Sequence, residues 1–367
     1  MYLVISAAAG AGILSYFLYR FFLQQPPQDD GGGRAIEMNE MESDENQHNS
    51  DNNNSNKTVR QPSFAEIYGN KKKNNSDAVE IVSNSNRNNK HSMGGGGGGY
   101  QYGIAELMGR RQTMEDTHCI VQNIGGSPYS FFAVYDGHGG DKAAKFLRDN
   151  LHNYVQTFLS EGGNPEEVLS KAVQKAEEEF MIVARETEIQ DGSTVVCALV
   201  GDGHVYMANV GDSEAILARN REHLVLTTVH TPGRNKNEAD RVEQAGGRLM
   251  RGRVGHPHFN PRCFNLAVSR AVGDLMYKSE EFVQDKNSGV VADADTRVVE
   301  LGEGDDFVIM ACDGVWDVLE YQVACDLTAG WLQQGVTAQE AVEKLVTDAF
   351  EKGSRDNITA CLVVLRD

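Results

Sequence analysis

Four aspartates stand directly after an apolar run or in a tight turn: Asp136 in VYDGHGG, Asp212 in NVGDS, Asp313 in MACDGVWD and Asp356 in SRDNIT. A carboxylate at a strand end is held by a rigid element while its oxygens face a cleft, the arrangement that a hard cation such as Mg2+ or Mn2+ requires. Gly137 and Gly314 follow two of these aspartates and let the backbone come close, so that a carbonyl can join the ligand set. A single Asp-Gly pair is most often an ordinary turn, and the weight lies in the repetition. Several carboxylates within about 5 Å of one another repel and are driven towards protonation unless a cation sits among them. The set therefore implies a metal.

Such aspartates need strands to carry them. Residues 117–122 and Ser130–Tyr135 (SFFAVY) read as buried strands, apolar and rich in β-branched or aromatic side chains. Residues 141–159 have helical spacing. Asn164-Pro165-Glu166-Glu167 is a helix start, with Asn as cap, Pro in the first turn and acids at the positive end, and the helix should run to about Glu188. TVVCALV, HVYMANV and EAILAR read as successive strands separated by Gly-Asp turns, which predicts an antiparallel meander. A short helix over 237–245 should stop at Gly246-Gly247. VVEL, FVIMAC and the closing ITACLVVL read as strands, with helices near 321–332 and 337–352 between the last two. Clustered strands around paired helices predict an α+β architecture with helices packed outside two sheets, not a doubly wound parallel fold.

The chain of 367 residues carries 53 acidic and 34 basic side chains. Residues 24–99 hold 11 acidic and 8 basic side chains amid crowded Asn, Ser and Gly, ending in Gly94–Gly99, and read as a disordered linker. Setting aside that segment and Arg20 leaves 42 acidic and 25 basic residues in a folding unit over 100–367, a net charge of −17. Such a surface repels a phosphate backbone, so nucleic acid is not the expected partner, and a phosphorylated ligand needs local cations. Ahead of the linker, Tyr2–Tyr19 is uncharged and mostly apolar. As a helix it would be about 27 Å long, close to one bilayer core, so residues 1–23 are expected to be a single-pass membrane anchor, with the folded domain facing the cytosol. The six cysteines are widely spread without a CxxC pair, as buried free thiols of a reducing compartment would be. His256 and His258, separated by one Pro in a loop, lack helical metal spacing and do not read as a zinc site.

The stretch Arg111-x-x-Met114-Glu115-Asp116-x-His118, then FFAVYDGHGG, GSTVVCALV, ANVGDS, LAVSRAVGD, ACDGVWDV and SRDNITACLVV in that order, resembles the metal-dependent type 2C serine/threonine protein phosphatases. The resemblance runs from about Gly103 to Leu365. It implies a central sandwich of two antiparallel β-sheets flanked by pairs of α-helices, with a two-metal cleft at one end. It implies further that Asp136 bridges two cations, that Gly137 lends its carbonyl, and that Asp313 and Asp356 bind on the second metal side. Glu115 would hold metal waters, Asp116 would order solvent, and Asp212 with Asp313 would take a weaker third cation. Arg111 would clamp phosphate and His138 would protonate the leaving oxygen. The activity implied is hydrolysis of phosphoserine and phosphothreonine in protein substrates, by a monomeric catalytic domain.

Two positions depart from the family pattern. Glu214 follows Gly-Asp-Ser where Arg is usual, and Val229-His230-Thr231-Pro232 stands where an Asp before His-Lys-Pro is usual. The stretch Arg251–Asn265 is longer and more irregular than the usual link, where a flap beside the cleft is expected, so it should bear on substrate choice. Asp274 in RAVGD reads as structural support and Trp316 as core. A cysteine phosphatase is excluded, because none of the six Cys has an Arg six positions on; Cys263 has Ser269 there. A catalytically silent relative would usually have lost Asp136, Asp313 or Asp356, and all three are present.

Overall fold

The computed structural model describes Ile81–Ser83 and residues 99–366. The expected anchor over 1–23, and the linker apart from Ile81–Ser83 and Gly99, lie outside the described residues. Among the described residues no helix is long and apolar enough to cross a membrane.

Two antiparallel sheets form the centre. The six-stranded sheet runs, edge to edge, Ile81–Ser83, Gln101–Leu107, Ile358–Val364, Asp305–Ala311, Glu214–Arg219 and Glu222–Val225. The five-stranded sheet runs Asp295–Glu300, His204–Val210, Val195–Gly201, Ser130–Tyr135 and Thr117–Val121. Three residues of the expected linker, Ile81–Ser83, thus serve as an edge strand on Gln101–Leu107.

The period of two along Ser130–Tyr135 shows why every residue of that strand is buried. Phe132 and Val134 face the six-stranded sheet, among Val196, Met207, Leu217, Val308 and Met310. Phe131, Ala133 and Tyr135 face the helices Lys142–Ser160 and Pro165–Thr187, among Leu147, Leu151, Leu169 and Phe180. On the far side, Tyr321–Gln333 and Ala338–Glu351 cover the outer face of the six-stranded sheet, the first through Ala324 and Cys325 and the second through Val342, Leu345 and Val346. Layers of helix, sheet, sheet and helix follow, and a continuous apolar run rather than an alternating one is what a strand covered on both faces must have.

The helix ends match their local chemistry. The Asn164 side chain accepts from the Glu166 N–H at 3.1 Å, and Glu188 closes the helix in the left-handed region at φ 57°. Thr337 and Glu340 form a reciprocal capping box at the start of the last helix.

The expected meander holds for its first two strands only. Val195–Gly201 and His204–Val210 pair through a tight turn, but Glu214–Arg219 crosses to the other sheet and pairs with Asp305–Ala311. The crossing is made at Gly211, whose φ of 102° suits glycine, and it leaves Asp212 at the junction of the sheets. Gln101–Leu107 is a strand that apolar patterning alone did not mark. Two small sheets complete the fold: Arg248–Met250, Arg253–Gly255 and Asn265–Leu266 form a flap, and Val272–Gly273, Gly192–Ser193 and Gly137–His138 join near the junction.

Candidate metal centre

The strand directions bring one end of both sheets together. Ser130–Tyr135, His204–Val210 and Asp305–Ala311 deliver Asp136, Asp212 and Asp313 at their C-terminal ends, while Thr117 and Ile358 begin strands just after Asp116 and Asp356. Carboxylate oxygens of Asp136, Asp212 and Asp313 lie within 4.8 Å of one another, and Asp136 forms a second group of that size with Asp116 and Cys312 Sγ.

The electrostatics are those of a cluster short of positive charge. Burial pushes Asp136 well above the usual carboxylate range, and repulsion from Asp116, Asp313, Asp212 and Asp356 adds to it. Asp313 is raised well above its usual value by burial and then by Asp212, Asp356 and Asp317. Burial also raises Asp212, against the pull of its Thr231 hydrogen bond at 3.1 Å and of His138. Asp116 is raised to about 7, chiefly by burial, although Thr359 Oγ1 donates to it at 2.8 Å. An all-oxygen set of this density fits a hard divalent cation, and a cation among the carboxylates removes the repulsion that raises them.

The neighbouring loops are stitched to the cluster. Asn357 accepts from the Glu115 N–H at 2.8 Å and donates to the carbonyls of Met108 and Thr113, both at 2.9 Å. That one amide ties the Arg111–Glu115 loop to Asp356. Glu115 accepts from Thr113 Oγ1 at 3.0 Å and from the Gly140 N–H at 3.1 Å, outside the tight carboxylate groups. Arg111 Nη2 donates to Asp356 Oδ2 at 2.6 Å, with the guanidinium largely exposed to solvent. Close backbone crossings explain two glycines: a Cβ on Gly137 would meet the Glu115 carbonyl oxygen at 2.3 Å, and one on Gly314 would meet that of Asn357 at 2.0 Å.

His138 Nε2 lies 2.9 Å from Asp274 Oδ2, in a pocket where a Cβ on Gly192 would strike both side chains. Burial lowers the His138 pKa, and the Asp274 carboxylate more than offsets this, so the net shift is upward. Asp274 therefore supports more than the backbone; it holds the imidazole.

Asn357, Cys312 and Asp317 are members of the site that the sequence did not single out. Asn357 follows an expected ligand directly, and Asp317 lies one helical turn beyond Asp313, a spacing that could have marked it. Trp316 is buried, and its Nε1 donates to the carbonyls of Ala311 and Glu214. Glu214 is buried as well, accepting from Tyr321 Oη at 2.5 Å and lying 3.5 Å from Arg234. His256 accepts at Nδ1 from the N–H groups of His258 and Phe259, and its Nε2 bonds the Met276 carbonyl, so both nitrogens are engaged by backbone. Five cysteines are buried free thiols and Cys263 is exposed.

Comparison with known proteins agrees with this geometry. Residues 100–358 match the family model for Protein phosphatase 2C. Protein phosphatase 1A of Bos taurus is 34% identical over 276 residues, covering 72% of this chain and 70% of the relative. Protein spalten of Dictyostelium discoideum is 35% identical over 285 residues, which span 72% of this chain and 27% of that longer protein. Among solved structures, serine-threonine phosphatase 2C from Toxoplasma gondii has the same fold, with a TM-score of 0.64 at 22% identity over 78% of this chain and 99% of that one. A C. elegans sex determining protein superposes with a TM-score of 0.62 at 25% identity, over 73% of this chain and 65% of that one. Convergent carboxylates at the sheet junction, the two-sheet sandwich and these likenesses together place the chain in the protein phosphatase 2C family, as a metal-dependent serine/threonine protein phosphatase.

Proposed function

We propose that the chain hydrolyses phosphoserine and phosphothreonine in proteins at a site for two Mg2+ or Mn2+ ions. Asp136, the Gly137 carbonyl, Asp313 and Asp356 would hold them, with Glu115 and Asp116 ordering nearby water and Asp212 joining Asp313 for a weaker third ion. The observation that carries this is the convergence of Asp136, Asp212 and Asp313 within 4.8 Å at a buried sheet junction. Phosphate monoesters are so slow to hydrolyse that a site must remove roughly 20 kcal/mol of barrier. When bound, the cations supply charge neutralisation and activation of water for direct attack on phosphorus.

The chain's own groups supply the rest. Arg111 is exposed and held at one nitrogen by Asp356, so its remaining N–H groups are available to fork onto phosphoryl oxygens and offset their growing charge. Asp274 occupies Nε2 of His138, which leaves Nδ1 as the nitrogen that gives a proton to the departing Ser or Thr oxygen. Tyr2–Tyr19 would anchor the chain in a membrane, with a monomeric catalytic domain on the cytosolic face, a reading supported by its apolar length.

The test is phosphate release from a phosphothreonine peptide by the full chain with Mg2+, with Mn2+ and with chelator. Release should require the metal and vanish in Asp313→Asn. Equal release in chelator would refute the metal assignment.

A further inference from the structure

Arg248–Asn265 carries four arginines and no carboxylate, in a folding unit where acids outnumber bases 42 to 25. Arg248, Arg251, Arg253 and Arg262 are all exposed on the three-stranded flap. Among the described residues none of them meets a carboxylate: Arg248 reaches the Pro257 carbonyl at 3.4 Å, Arg253 bonds the Asn265 side chain, and neither Arg251 nor Arg262 makes a side-chain hydrogen bond. Some arginines elsewhere are neutralised, as Arg219 is by Asp305 and Arg270 by Glu238, and those that are not, such as Arg110 and Arg297 on backbone carbonyls, are not gathered on one small sheet.

The flap borders the metal centre. Its hairpin turn, Arg251-Gly252, lies so close to Gly233 that a Cβ on Gly252 would meet the Gly233 Cα at 2.7 Å. The next residue, Arg234, reaches Glu214 at 3.5 Å and Asp317 at 3.8 Å, and Asp317 is one turn beyond Asp313. A cavity of about 410 Å³ opens along the same rim, lined by Arg234 and Lys236 among others.

We propose that the flap arginines dock acidic residues flanking the phosphorylated Ser or Thr of a protein substrate; this deepens the phosphatase reading and rests on it. Guanidinium forks bind carboxylates in two-point fashion, and the flap reverses locally a field that would otherwise repel an acidic peptide. Nucleic acid, the other polyanion, is disfavoured by the net charge of −17 over the folding unit.

The test uses the full chain with Mn2+ on three substrates: p-nitrophenyl phosphate, a phosphothreonine peptide flanked by four Asp or Glu, and the same peptide flanked by Ala. At low ionic strength the acidic peptide should lead the neutral one roughly tenfold in kcat/KM, through KM, and the lead should fade at high salt. The double variant R251Q/R262Q should cut that ratio severalfold. A ratio at or below one in the unaltered protein, a ratio that salt does not change, or a short RNA competing as well as the acidic peptide would overturn the proposal. Failure to hydrolyse p-nitrophenyl phosphate with any metal would instead overturn the phosphatase reading beneath it.

Discussion

Glu238 is a buried carboxylate whose removal should destabilise the fold by a predictable amount. It accepts from Arg270 Nη2 at 2.6 Å, Arg241 Nη2 at 2.8 Å and Ser269 Oγ at 2.6 Å, and so ties the short helix Lys236–Gln244 to the segment that enters Val272–Gly273. Burial alone would push its pKa up; the two guanidiniums and the hydroxyl more than offset this and hold it at about 2, against an ordinary 4.5. At about 1.4 kcal/mol per tenfold change in proton affinity, the difference amounts to about 3 kcal/mol of folding stability at neutral pH. Glu238→Gln removes the charge and leaves Arg270 with the Asp295 carboxylate and the Asp293 carbonyl, so urea unfolding at pH 7 should show the variant weaker by about that much. The folded pKa lies below the unfolded one. The stabilisation is therefore whole above pH 4.5 and decays as pH falls towards 2, and the difference between the two proteins should shrink over that window while other carboxylates largely cancel. A difference below about 1 kcal/mol at pH 7, or one that stays constant down to pH 2.5, would refute the reasoning.

In chelator, Asp313→Asn should melt above the unaltered protein, because one of the mutually repelling carboxylates is gone, by about 2–4 °C for each kcal/mol relieved. Added Mn2+ should reverse that ranking in a thermal melt, and an unchanged order would count against a cation site there. Asp274→Asn should slow phosphothreonine turnover by roughly 100-fold while sparing aryl phosphates, whose leaving groups need no proton; equal losses on both would contradict the positioning of His138. Deleting residues 1–23 should release the protein from membranes without altering its rate on p-nitrophenyl phosphate, as read by fractionation and assay.

The sandwich was legible because strands buried on both faces carry unbroken apolar runs, as Ser130–Tyr135 does, and because the helix from Asn164 announces its cap. Pairing was less legible. Nothing local in Glu214–Arg219 says which sheet it joins, since that depends on the turn at Gly211 and on partners about ninety residues away, in Asp305–Ala311. Gln101–Leu107 is hard to read as a strand because Gln101, Gly103 and Glu106 break its apolar run, although four of its residues are buried and two more half-buried. At the site, the aspartates could be named from their strand-end positions, whereas Asn357 and Asp274 act on atoms far away in sequence. Asp274 meets His138 across 136 positions and Asn357 meets Glu115 across 242. The cluster of unpaired arginines on the flap was visible as composition, but its proximity to Asp317 required the contact between Gly233 and Gly252.

The three bonds of the Asn357 amide have a consequence for how mutational tolerance should be mapped in this molecule. That side chain fixes the loop bearing Arg111 and Glu115 to the one bearing Asp356. A saturation scan scored on turnover would rank Asn357 beside the ion-binding carboxylates, though nothing requires it to touch phosphate. An outline of the reacting zone drawn from intolerant positions alone would therefore come out too wide, and only scoring each variant separately for folding and for turnover would restore its true border.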